Sequence, residues 1–184
     1  MTKSQAPADG QETDIIEGLP GHLPVLVGSM VFMFSAAMFF RLRGALHANS
    51  NEISFDTMGI WATASIALLV VAVPLAHQVA HVVALLTLKA PIRWERAGLY
   101  PHVWPAAPLA RAQARWFLLA PLALSALLLV LLPFRPLSSY AALCNALNLA
   151  MWVGDGWKAL GLRRFPPATR FEIGSDGCRV RLGS

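Results

Sequence analysis

The 184-residue sequence predicts an all-α polytopic membrane protein, four transmembrane helices with a small cytoplasmic β-hairpin element. Three observations carry this. Hydrophobic residues make up 56% of the chain and charged residues only 14%, where a soluble domain carries nearer a quarter. Mean hydropathy is +0.53. Four segments, 21–40, 57–88, 116–134 and 136–154, contain no Asp, Glu, Lys or Arg. At 1.5 Å rise per residue, roughly 20 such residues cross a hydrocarbon core of about 30 Å.

Residues 1–20 are polar, carry Pro, Gly and acids, and read as a mobile tail. The first apolar segment follows them and precedes three more, which is not the pattern of a cleaved signal peptide. The second segment, at 32 residues, is too long for a straight span. Pro74 lies in its middle, lacks an N–H and frees the carbonyl of Val70, so a kink is expected there. "PIRWERAGLYPHVW" (91–104) reads as short strands or an interfacial loop with aromatics at headgroup level. "RFEIGSDGCRVRL" (170–182) alternates about a Gly-Ser-Asp-Gly turn and reads as a β-hairpin. Phe171, Ile173, Val180 and Leu182 share its apolar face, with Glu172 opposite Arg179 or Arg181. The organisation is then a tail over 1–20, a four-helix transmembrane domain over 21–162, and a cytoplasmic tail with its hairpin over 163–184.

Basic residues orient the helices. With the N-terminus, the 89–115 loop and the C-terminal tail on one side, that side holds 12 Lys and Arg against 3 on the other. The positive-inside rule places both termini in the cytoplasm. The first helix alone would prefer the reverse, because Arg41 and Arg43 follow it while acids precede it. The net charge of +5 reflects this topology, so no nucleic-acid partner is expected; the lipid bilayer is the partner implied. Twelve Arg against three Lys fits a GC-rich bacterial genome, hence a bacterial inner membrane. Cys144 falls in a span and Cys178 in the tail, which indicates neither a disulfide nor a cysteine metal site.

Within "VPLAHQVAHVVALL" (73–86), His77 and His81 stand four apart. On a helix that spacing puts their Cβ atoms about 5–6 Å apart on one face, so two imidazoles can converge on a metal. Polar groups within a span are costly and point to function. The competing reading is that both rings bond carbonyls, the one freed by Pro74 included. "NALNLAMWVGDGWKAL" (145–160) places Asp155 just beyond the fourth apolar core, on the cytoplasmic side with the histidines. Two histidines and a carboxylate are the protein ligands of a catalytic zinc site with one position open. Gly154 and Gly156 would let helices approach closely. The alternative for Asp155 is an interfacial pair with Lys158. Asn145 and Asn148, amides within a span, need partners and are expected to support the ligands or bind substrate backbone.

These motifs resemble the zincin peptidase family of small four-helix integral membrane proteins, distantly similar to site-two proteases. The family pairs a His-Glu-x-x-His helix with a later Asn…Gly-Asp helix. Here His77 and His81 fall on the motif histidines and Asp155 on the later aspartate, and the resemblance covers roughly 60–182. It implies zinc held by His77, His81 and Asp155. The chain departs from the family at Gln78, which occupies the general-base position in a degenerate His-Gln-x-x-His motif. A carboxamide does not relay a proton, and general acid–base catalysis contributes roughly 10²–10⁴-fold. His102 is the one obvious substitute base; His22 and His47 sit near other span boundaries. The leading expectation is a non-catalytic or weakly active metallopeptidase homologue that retains its metal and binds a membrane protein or transmembrane segment. An active intramembrane zinc metallopeptidase with another base, and a metal-free structural subunit, are the alternatives.

Overall fold

The computed structural model describes residues 15–17, 23–46, 60–97, 100–175 and 177–181. The helices are α1 (Leu23–Leu46), α2 (Ile60–Thr87), α3 (Arg111–Leu119), α4 (Pro121–Val130) and α5 (Arg135–Gly161). The strands are β1 (Ile15–Glu17), β2 (Ile92–Ala97), β3 (Tyr100–Pro105), β4 (Leu109–Ala110), β5 (Arg170–Gly174) and β6 (Gly177–Arg181). Among the described residues, three helices are long and apolar enough to cross a membrane: Leu23–Leu46, Leu69–Thr87 and Arg111–Val130. The last joins α3 to α4. The expected fourth span, α5, has the length at 27 residues. Its apolar run is broken by Ser138, Ser139, Asn145 and Asn148.

α1 lies along α5 in the opposite direction. A Cβ on Gly28 would sit 3.2 Å from the Ala150 carbonyl. Near the other end, Arg43 Nε donates to Ser138 Oγ at 2.9 Å. Phe39, Leu132, Ala141, Ala142 and Ala146 fill the space between. The opposite face of α1 exposes Val25, Met30, Met33 and Phe34, an apolar surface suited to lipid.

Two prolines leave helical carbonyls without the donor four residues on, and both carbonyls accept from side chains. Pro74 sits inside the continuous α2. The Val70 carbonyl four residues earlier accepts from Tyr100 Oη at 3.0 Å, so the donor is a strand residue and not a histidine. Pro121 opens α4. The Phe117 carbonyl, with no N–H at position 121, accepts from Ala120 N–H at 3.3 Å and from His81.

α2 ends in a left-handed residue, Lys89 (φ 51°). Ala90 N–H then donates to Leu85 O at 2.9 Å and Lys89 N–H to Leu86 O at 3.1 Å, the paired closure of a Schellman turn. Pro91 follows and the chain turns back as β2. β2 and β3 pair antiparallel, so the 91–104 segment is a hairpin that lies against α2.

The C-terminal hairpin forms with Glu172 opposite Arg179, and Arg181 Nη2 bonds Glu172. It belongs to a larger sheet of order β1-β6-β5-β4. Its inner side chains, Phe171, Ile173, Cys178 and Val180, join Leu85, Val103, Phe117, Leu118 and Leu162 in one core at the ends of α2, α3 and α5. Full burial of each large apolar side chain there contributes about 1.5–3 kcal/mol. Leu182 lies outside the described residues. β1 corrects the expected mobile tail at 15–17. Ile16 packs on the core, and the chain pairs with the free edge of β6 through Ile15↔Arg179 and Glu17↔Gly177. The rest of 1–20 lies outside the described residues.

Candidate metal centre

The 3.6-residue period of α2 turns His77 and His81 to the same side, toward α5. Both are 3% exposed and Asp155 9%. One ligand atom from each of the three lies within 4.8 Å of the others. His77 Nε2 is 3.3 Å and His81 Nε2 3.1 Å from the same oxygen, Asp155 Oδ2.

The protons of this cluster follow from its neighbours. Asn148 Nδ2 donates to Pro121 O at 2.9 Å and to Ser125 Oγ at 2.8 Å. A backbone carbonyl only accepts, so the amide nitrogen of Asn148 points there and its Oδ1 faces His77. His77 Nδ1, 3.0 Å away, therefore carries hydrogen and donates. His81 Nδ1 likewise donates to Phe117 O at 3.0 Å. In the neutral rings both Nε2 atoms are then lone pairs, and both are aimed at a carboxylate oxygen. With both rings neutral, three acceptors converge with no donor among them.

A divalent cation resolves that convergence. Tetrahedral ligands at 2.0–2.1 Å from one zinc stand about 3.3 Å apart, close to the two Nε2–Oδ2 separations. Nδ1–H bonded to a carbonyl-type oxygen is also the usual way a ligating histidine is oriented. His77, His81 and Asp155 thus fit a zinc ion, and two helices hold them.

Asp155 and Lys158 do not pair. Lys158 Nζ donates to Gly174 O at 3.0 Å and lies 4.7 Å from the centroid of Trp104, so it ties α5 to β5 and β3. Burial pushes the neighbouring Cys178 thiol up to about 11, with Lys158 opposing and Asp155 adding to the shift. The glycines beside Asp155 do not mediate close helix approach. Gly154 faces open space, and a Cβ on Gly156 would strike the Trp152 ring of its own helix at 2.9 Å. That ring reaches Leu118 O with Nε1 at 2.9 Å. Close approaches between elements are at Gly28, against α5, and at Gly161, where a Cβ would meet the Ile16 side chain of β1 at 2.6 Å.

Gln78, 8% exposed, accepts from Val103 N–H through Oε1 at 3.1 Å. Asn145 Nδ2 reaches Ser125 O at 3.4 Å, and Asn145 Oδ1 is buried without a partner. His102 stacks on Trp104, with centroids 6.1 Å apart, and does not join the ligand cluster. His22 and His47 lie outside the described residues. Four contributors escaped the sequence reading: Phe117 O, Ser125, Val103 and Tyr100. Only the first had a signal, a proline four residues downstream.

Three membrane-capable helices and a buried His-x-x-x-His and aspartate cluster that could hold a metal ion define the class of protein. A family model described as "Putative zincin peptidase" matches residues 69–170, which include both histidines and Asp155, and the chain belongs to that family. α1, β1 and β6 lie outside the match. Comparison with the curated proteins and with the solved structures finds no match.

Proposed function

We propose that this chain is an integral membrane member of the zincin peptidase family that binds zinc through His77, His81 and Asp155 and has given up efficient peptide hydrolysis. α5 acts as a fourth span, both termini face the cytoplasm, and the membrane is a bacterial inner membrane. The site serves to bind a membrane protein or transmembrane segment. One observation carries the zinc assignment: both histidines commit Nδ1–H elsewhere, to Asn148 and Phe117 O, and turn Nε2 on one carboxylate.

Bound zinc supplies a Lewis acid. What this chain's own residues supply is orientation and exclusion of water, given the burial of all three ligands. They lack a proton relay. Gln78 stands where the family pattern has glutamate, and its oxygen is engaged by Val103. Loss of a general base costs roughly 10²–10⁴-fold in rate. Support for α5 as a span is its packing between α1 and α4, which shelters Asn145 and Asn148 from lipid.

The test is turnover of an unfolded protein and of a transmembrane substrate by the purified chain in detergent. Wild type is expected to show none above background, and Gln78→Glu to gain hydrolysis that His77→Ala abolishes. Wild-type cleavage abolished by His77→Ala overturns the non-catalytic assignment.

A further inference from the structure

β3 crosses the metal helices at the level of the ligands. Val103 is bonded to Gln78, the residue after His77, while Trp104 lies over Lys158, one turn beyond Asp155. Tyr100 reaches back to Val70. The strand is thus fastened to α2 at two points and rests on α5 at a third.

Its edge toward α2 has an unusual makeup. Ala106 N–H donates to Pro91 O at 2.8 Å, in step with the β2–β3 register. Even-numbered residues of β3 therefore turn their backbone to β2, and the odd-numbered ones turn theirs to α2. Those are Pro101, Val103 and Pro105. Two have no N–H, so Val103 supplies the only donor on that edge, and Gln78 accepts from it.

We propose that Gln78 is a positioning residue that latches β3 over the metal site, and that access to His77 and His81 requires its bond to Val103 to open. The inference rests on the metal-site reading above. It gives the carboxamide oxygen a role in holding the strand that needs no proton transfer. An extended peptide has no donor to pair with on this edge while the latch is closed. Burial of both histidines to 3% is the state the latch maintains.

The full-length protein in detergent tests this with two readouts: hydrogen exchange of β2–β3 peptides, and the rate at which a chelator removes zinc. Gln78→Leu keeps size and removes the acceptor. It should speed exchange across β3 and zinc removal about 2–13-fold, the opening expected from one net hydrogen bond. Tyr100→Phe, which touches no residue of the site, should act in the same direction on its own. Gln78→Glu, which keeps an acceptor for Val103, should restore protection. Wild-type protection of β3 in Gln78→Leu overturns the latch whatever Tyr100→Phe does, as does a loss of protection spread evenly over α3 and α5. If the wild type holds no zinc, the metal-site reading fails, while the exchange comparison still decides whether Gln78 fastens β3.

Discussion

His81 Nδ1 donates to the Phe117 carbonyl at 3.0 Å, and that carbonyl is available because Pro121, four residues on, has no N–H to offer it. The same proline's own carbonyl accepts from Asn148, whose Oδ1 fixes His77. The α3–α4 junction thereby orients both imidazoles, although it contributes no ligand.

Asn148→Leu tests that relay. His77 loses the acceptor that sets its tautomer, and zinc affinity should fall about 10–100-fold, as measured by competition with a chromogenic chelator. Ser125→Ala removes only one of the two acceptors for Asn148 Nδ2 and should cost at most about 1.5 kcal/mol of stability.

The turn after α2 should respond to glycine. Lys89 holds φ 51°, a conformation that disfavours a Cβ. Lys89→Gly should raise stability by up to about 1 kcal/mol, read as an increase in Tm with zinc content unchanged.

Close packing of α1 on α5 depends on Gly28. A Cβ there already meets Ala150 O at 3.2 Å. Gly28→Leu should push α1 from α5 and cost about 1–3 kcal/mol, seen as a lower Tm in detergent. The metal site, on the other flank of α5, should keep its zinc.

Alkaline pH should loosen the core beneath the four-stranded sheet. Burial raises the Cys178 thiol from 9.0 to about 11, so the folded chain holds that proton after the unfolded chain has released it. Stability from this group is complete below pH 9 and declines as pH rises from 9 toward 11, by up to about 2–3 kcal/mol. Cys178→Ala should flatten that decline in a Tm-against-pH series.

Much of this was legible in the sequence, for physical reasons that also explain the gaps. The charge-free runs announced the helices, and the alternation of Phe171 and Ile173 with charged residues announced the hairpin. Helical spacing put His77 and His81 on one face. What brings Asp155 to them is tertiary, and only the Asn…Gly-Asp pattern hinted at it. Strand β1 went unread because Ile15 and Ile16 are too short an apolar run to signal anything without the β6 edge beside them. The fate of the Val70 carbonyl was misjudged in its donor: the missing N–H of Pro74 is visible in the sequence, whereas Tyr100 lies 30 residues away.

Metal analysis of the detergent-purified protein bears most directly on whether two imidazoles and a carboxylate gather here around an ion. Wild type should carry one zinc per chain, His77→Ala and Asp155→Ala none, and a chelator should lower the wild-type Tm. Zinc-free wild type whose Tm ignores the chelator would contradict the account and leave His77, His81 and Asp155 as a packed polar cluster.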